Sequence, residues 1–260
     1  MTMPELRRRK PYRSMPAVTM LRLMRADWMK TRRTPLRWAV MAAPAAYALL
    51  FLWYMSQLPV NAAQRMPGVF LEVWTVLFPL AIGALAGLLS LQEEHAGHYS
   101  ALLGSTASRP VVYAARLLLL VLINAGGLLC AATMLLLGMR LIPGLAAADA
   151  GLFHGGVLLA FAGALPQIAL HQWLGLALGW GASVGIGGAG LLTAAIVGAT
   201  GVGDRIWPLV PWAWPVRLAQ FPAEPDALTR GLLPALLLFA VLAMGGAAWF
   251  GRWEGRRGED

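Results

Sequence analysis

The chain has 260 residues, 58% hydrophobic and only 13% charged, with a mean hydropathy of +0.63. A water-soluble domain of this length has no interior large enough for that much apolar surface, so the composition excludes an ordinary soluble enzyme and implies a membrane protein. The net charge is +9, and 11 of the 21 Lys and Arg lie between Arg7 and Arg37. This basic stretch leads straight into an apolar run, so it fits anionic cytoplasmic headgroups and not nucleic acid.

The predicted elements, in chain order, describe one all-α, polytopic membrane domain. Residues 1–16 form a basic N-terminal tail. The region is too long in both its charged and apolar parts for a cleavable signal, and it is expected to stay as an anchor. Residues 17–35 read as an amphipathic elbow helix. Val18, Leu21, Met24 and Trp28 recur at helical spacing on one face, with Arg22, Arg25 and Arg32 away from it. Trp28 is the expected interfacial anchor.

Residues 36–250 then hold six predicted spans: 36–57, 69–91, 112–139, 152–173, 177–200 and 231–250. The fourth and fifth are separated only by a glycine-rich stretch, where one interrupted helix is an alternative. Residues 251–260 are a tail. With both termini inside, 16 Lys and Arg fall inside and 5 outside, so the charge bias places the termini and the loop after the second span in the cytoplasm.

Gly83/Gly87, Gly175/Gly179 and Gly181/Gly185 are spaced for close approach of helix backbones. Before the last span, the prolines and tryptophans of Pro211, Trp212, Trp214 and Pro215 predict a structured outer loop dipping into the interface. Cys130 is the only cysteine, which excludes an intrachain disulfide and a thiolate metal cluster and leaves a packing role.

Phosphate-binding chemistry is absent. A P-loop needs a glycine-rich turn followed by Lys, and neither Lys10 nor Lys30 follows a glycine. Ion-coupled carriers keep acidic residues near the membrane midplane. Here the only acidic residue within the spans is Glu72, near an outer end and a candidate contact for a cationic substrate, and Asn124 is a neutral polar residue of the third span. Ser90, Ser100, Ser105, Ser108 and Ser183 have no evident His and Asp partners for a catalytic triad.

The chemistry that remains sits at Gln92–Tyr99, between the second and third spans. Glu93, Glu94, His95 and His98 are potential metal ligands, with Glu94/His98 and His95/His98 on shared helical faces. They would suit an intramembrane metalloprotease. However, the His-Glu-x-x-His signature is missing, His98 stands where a Glu-Glu-x-x-x-Arg motif needs arginine, and Gly97 softens the backbone. The mechanical alternative is a short helix, Ser100–Leu103, hinged at Gly97 and closed by Pro110, that docks on a soluble partner. A membrane anchor or sensor for a cytoplasmic complex uses the same surface.

Four stretches resemble permease subunits of the type-2 ABC exporter class, and within it the lantibiotic-immunity permeases. They are Asp27, Trp28, Lys30, Arg32 and Arg33 of the elbow; Glu93, Glu94, His95 and Gly97 followed by Leu102 and Leu103; Leu165–Leu174; and Pro211–Pro215. Asp27 departs from the usual glutamate, and His98 stands where a small amide is common.

The resemblance implies six helices per subunit, an elbow on the inner leaflet, and a coupling helix after the second span. It implies a cytoplasmic ABC ATPase dimer that supplies ATP and Mg2+, with no cofactor on this chain and no enzymatic activity of its own. It also implies a second permease subunit, identical or different, in a bacterial cell membrane. The expected substrate is a membrane-active, lantibiotic-like peptide or hydrophobic antibiotic, expelled for self-protection.

Overall fold

The computed structural model describes residues 16–59, 63–142, 145, 149–220 and 225–255, and these are helical throughout apart from turns. The predicted basic tail lies outside the described residues except for Pro16, as do Arg256 and Arg257. The helices are α1 (Pro16–Lys30), α2 (Pro35–Ser56), α3 (Met66–His95), α4 (Ser100–Leu103), α5 (Arg109–Leu141) and α6 (Ala150–Ala177). They continue with α7 (Trp180–Gly198), α8 (Trp214–Ala219) and α9 (Leu228–Arg252).

Five of these, α3, α5, α6, α7 and α9, are long and apolar enough to cross a membrane. The first predicted span falls on α2, whose apolar stretch Val40–Ser56 is shorter. The fourth and fifth predicted spans are separate helices, α6 and α7. They are divided at Leu178–Gly179, where Gly179 takes the left-handed φ of 94° that a side chain resists.

Local chemistry sets the helix starts. Pro35, Pro67 and Pro110 each stand in the first turn of their helix, where the missing N–H costs nothing. Asp149 caps α6 by accepting from the amides of Gly151 (2.8 Å) and Leu152 (3.0 Å).

The bundle is built around α3 and α6. Both α6 and α7 lie along α3, and their contact is close because glycines remove the intervening side chains. A Cβ on Gly83 would lie 2.6 Å from the Ser183 carbonyl oxygen, and one on Gly187 would lie 2.7 Å from that of Pro79. Gly87 meets the Trp180 backbone, whereas Gly181 and Gly185 face open space. So the predicted Gly83/Gly87 pair is an internal seam, and the predicted Gly181/Gly185 pair is not.

The α7–α9 connection folds back into the bundle. After turns at Gly201–Gly203, Trp207–Leu209 and Pro211–Ala213, α8 buries Trp214, Pro215, Val216, Leu218 and Ala219 against α6 and α3. Gln167 on α6 donates to the Pro211 carbonyl (3.3 Å), and the Trp214 indole donates to Pro208 (3.0 Å). Arg217 closes the end of α7. Its guanidinium donates to the carbonyls of Thr200 (2.8 Å) and Val197 (3.2 Å) and pairs with Asp204 at 2.8 Å.

Candidate functional site

The α3–α5 connection combines strained backbone with buried charge. The predicted α4 is present as a single turn, Ser100–Leu103, and α3 extends through Glu93, Glu94 and His95 before it. Three successive residues then take left-handed φ values: Gly97 (124°), His98 (49°) and Tyr99 (64°). For glycine this is free, but for His98 and Tyr99 it costs on the order of 1–2 kcal/mol each.

Tyr99 supplies the offset. Its ring is 1% exposed and packs edge-on to Trp253 with centroids 5.0 Å apart. Its hydroxyl lies 3.2 Å from Ser90 Oγ, which donates to the Gly175 carbonyl of α6. Leu102 is buried beside it and Leu103 is half-buried. Arg109, where α5 begins, donates to the Trp253 carbonyl at 2.7 Å. The connection is therefore pinned to α3, α6 and the end of α9.

Above this anchor the polar residues divide into two sets. His95, Gly97 and His98 are exposed and Glu94 is half-buried, so they form an outward face. Glu93 turns inward. It is 4% exposed, and its Oε1 accepts from Lys30 Nζ at 2.6 Å and lies 3.7 Å from Arg116 Nη1. Lys30 also pairs with Asp27 at 3.1 Å. The carboxylate thus ties α1 to α3 and α5, and Gln92 adds a hydrogen bond to Thr34 (3.2 Å) just after α1.

Burial disfavours the charged ammonium of Lys30. The hydrogen bond to Glu93 and the charges of Asp27 and Glu93 outweigh it and raise the Lys30 pKa above its ordinary 10.5. Glu93 Oε2 and Arg116 Nη2 are buried without hydrogen-bond partners among the described residues, so the Glu93–Arg116 pair can tighten if Lys30 leaves.

The other residues of the predicted elbow lie on α1 and the turn after it. Trp28 is half-buried with the Arg37 guanidinium 5.0 Å from a ring centroid, and Arg32 is exposed. Arg33 ends the Thr31–Arg33 turn, and its side chain lies outside the described residues. Pro211, Trp212, Trp214 and Pro215 belong to the folded-back segment at the other end of the bundle. Glu72 is half-buried in the second turn of α3.

The histidines do not converge. His154 lies one turn into α6 against the Ala150 carbonyl, and His171 is fully buried toward the C-terminal end of α6. Among the described residues no group of three or more His, Cys, Asp or Glu is placed to hold a metal ion.

His171 does meet a serine, a pairing not evident from the sequence. Its Nδ1 is 3.2 Å from Ser183 Oγ, and that hydroxyl donates to the Gly83 carbonyl at 2.8 Å. With its proton on a carbonyl, Ser183 is not poised as a nucleophile, and the trio instead locks α6 and α7 onto α3.

The Lys30–Glu93–Arg116 cluster was also missed, although a signal existed. Arg116 lies within the apolar run of α5, and a charge in that position calls for a counter-ion.

Comparison with protein-family models, with curated proteins and with solved structures gives no match for this chain.

Proposed function

We propose that the chain is the transmembrane permease subunit of an ATP-driven exporter, driven by a separate ATPase. The observation that carries this reading is the α3–α5 connection: an outward polar face on a rigid mount, joined by a buried carboxylate to two other helices. A docking element needs both an exposed contact surface and a stiff link to the elements it moves.

In this reading α2 is the first of six spans, and α1 is an elbow in the inner headgroup layer. The charge bias supports both termini and the α3–α5 connection on the cytoplasmic side, and the resemblance suggests a bacterial cell. The connection is the coupling helix. Glu94, His95 and His98 meet a cytoplasmic ABC ATPase dimer that carries the ATP and Mg2+, while Glu93 passes the displacement to α1 through Lys30. A second permease subunit completes the membrane part.

The sparse charge within the spans suits a hydrophobic or amphipathic substrate, and the resemblance to lantibiotic-immunity permeases points to a membrane-active peptide. The metalloprotease alternative loses its first ligand, because Glu93 is already engaged by Lys30.

Co-purification with the separate ATPase of this proposal tests the assignment. Replacing Glu94, His95 and His98 together with alanine is expected to abolish association while the membrane subunit still purifies as a monodisperse peak. Association that survives all three substitutions overturns the docking assignment.

A further inference from the structure

Two grooves flank α2 where it rests on α5, sharing Val40, Pro44, Ile123 and Gly127. The groove on the α1 side has a volume of about 420 Å³ and extends from Trp28 past Leu122 to Gly126 and Cys130. Its body is apolar, and its mouth is marked by Trp28 with the Arg37 guanidinium beside the ring. Unlike Lys30, Arg37 has no carboxylate partner among the described residues. Arg22, Arg25 and Arg32, on α1 and the turn after it, are exposed.

We propose that this groove is a binding site for an anionic phospholipid, with one acyl chain lying along α2 and α5 and the phosphate at Arg37. A free cation at one end of an apolar channel matches a ligand with a charged head and a hydrocarbon tail. A peptide is a poorer occupant, because its backbone groups would need polar partners that the groove body lacks. The site depends on the membrane character of the chain and not on export, so its test and the ATPase test fail independently.

The test is photo-crosslinking of the purified full chain in nanodiscs, using phosphatidylglycerol with a diazirine in its acyl chain, followed by peptide mapping. The label is expected on α5 between Leu119 and Cys130. Unlabelled phosphatidylglycerol should compete, and phosphatidylcholine should not.

Arg37→Gln is expected to weaken labelling about fivefold, the effect of one basic residue near an anionic surface. Gly126 lines the groove and has no atom within 4 Å of where a Cβ would stand, so the side chain of Gly126→Leu starts in open space, occupies the groove and should abolish labelling there. Labelling spread evenly over the lipid-facing helices, equal competition by phosphatidylcholine, or indifference to Arg37→Gln overturns the proposal.

Discussion

Where α3 meets α7, backbone faces backbone. Gly83 and Gly187 leave no room for a methyl group before a carbonyl oxygen, and the Ser183 hydroxyl bridges to Gly83 across the seam. Where α2 meets the bundle, side chains carry the contact: Tyr47 packs on Phe70 and Trp74 and donates to the Phe70 carbonyl at 2.7 Å. Pro44 touches Gly127, Leu52 sits over Gly138, and grooves open on both sides of Pro44.

Helix α1, before α2, is joined to α3 by the Lys30–Glu93 pair. Dispersion contacts between close backbones fade within an ångström, so the α3–α7 seam moves as a unit. An ion pair tolerates a change of partner, and Arg116 already stands 3.7 Å from the same carboxylate oxygen. The molecule thus pairs a backbone-to-backbone seam with an arm tied in by a buried ion pair.

Substitutions at two neighbouring glycines break this comparison most sharply. Gly187→Leu drives a side chain into the Pro79 carbonyl and is expected to prevent assembly of the α3–α7 seam, read as loss of a monodisperse peak and of cooperative melting. Gly185→Leu points into open space and should leave both unchanged. Equal behaviour of the two would contradict the seam.

At the arm, Glu93→Ala leaves Arg116, only 4% exposed, buried without its counter-charge. Breaking such a pair should cost about 3–5 kcal/mol in denaturant unfolding, and adding Arg116→Met should recover most of it. If the double variant is as unstable as the single one, the buried charge is not the cause.

The smallest effect is the alkaline response of Lys30. Its folded pKa lies above the ordinary 10.5, so its stabilisation is complete below that pH and is lost as pH rises through the folded value. The melting-temperature gap between wild type and Lys30→Met should therefore stay constant over about pH 8–10 and close above it. A gap that closes below pH 10 would contradict the Lys30–Glu93 pair.

The sequence carried the helical architecture well. Long apolar runs leave few alternatives, and the one-turn helix at Ser100–Leu103 could be located because Gly97 and Pro110 frame it. It did not show which way Glu93 faces. Glu93 and Glu94 are adjacent, and on a helix adjacent side chains point about 100° apart, so one turned inward while the other stayed at the surface. Nor did it show that Tyr99 is an anchor, because that depends on Trp253, Ser90 and Gly175 meeting in three dimensions.

The proposed division of labour between adjacent carboxylates is open to one direct measurement: ATPase stimulation in proteoliposomes containing this chain and the ATPase proposed to drive it, with association measured on the same samples. Glu93→Gln keeps the outward face and weakens the link to Lys30, so association should persist while stimulation falls. If Glu93→Gln abolishes association, or leaves stimulation at the wild-type level, Glu93 is not the link between the docking face and the α1 arm.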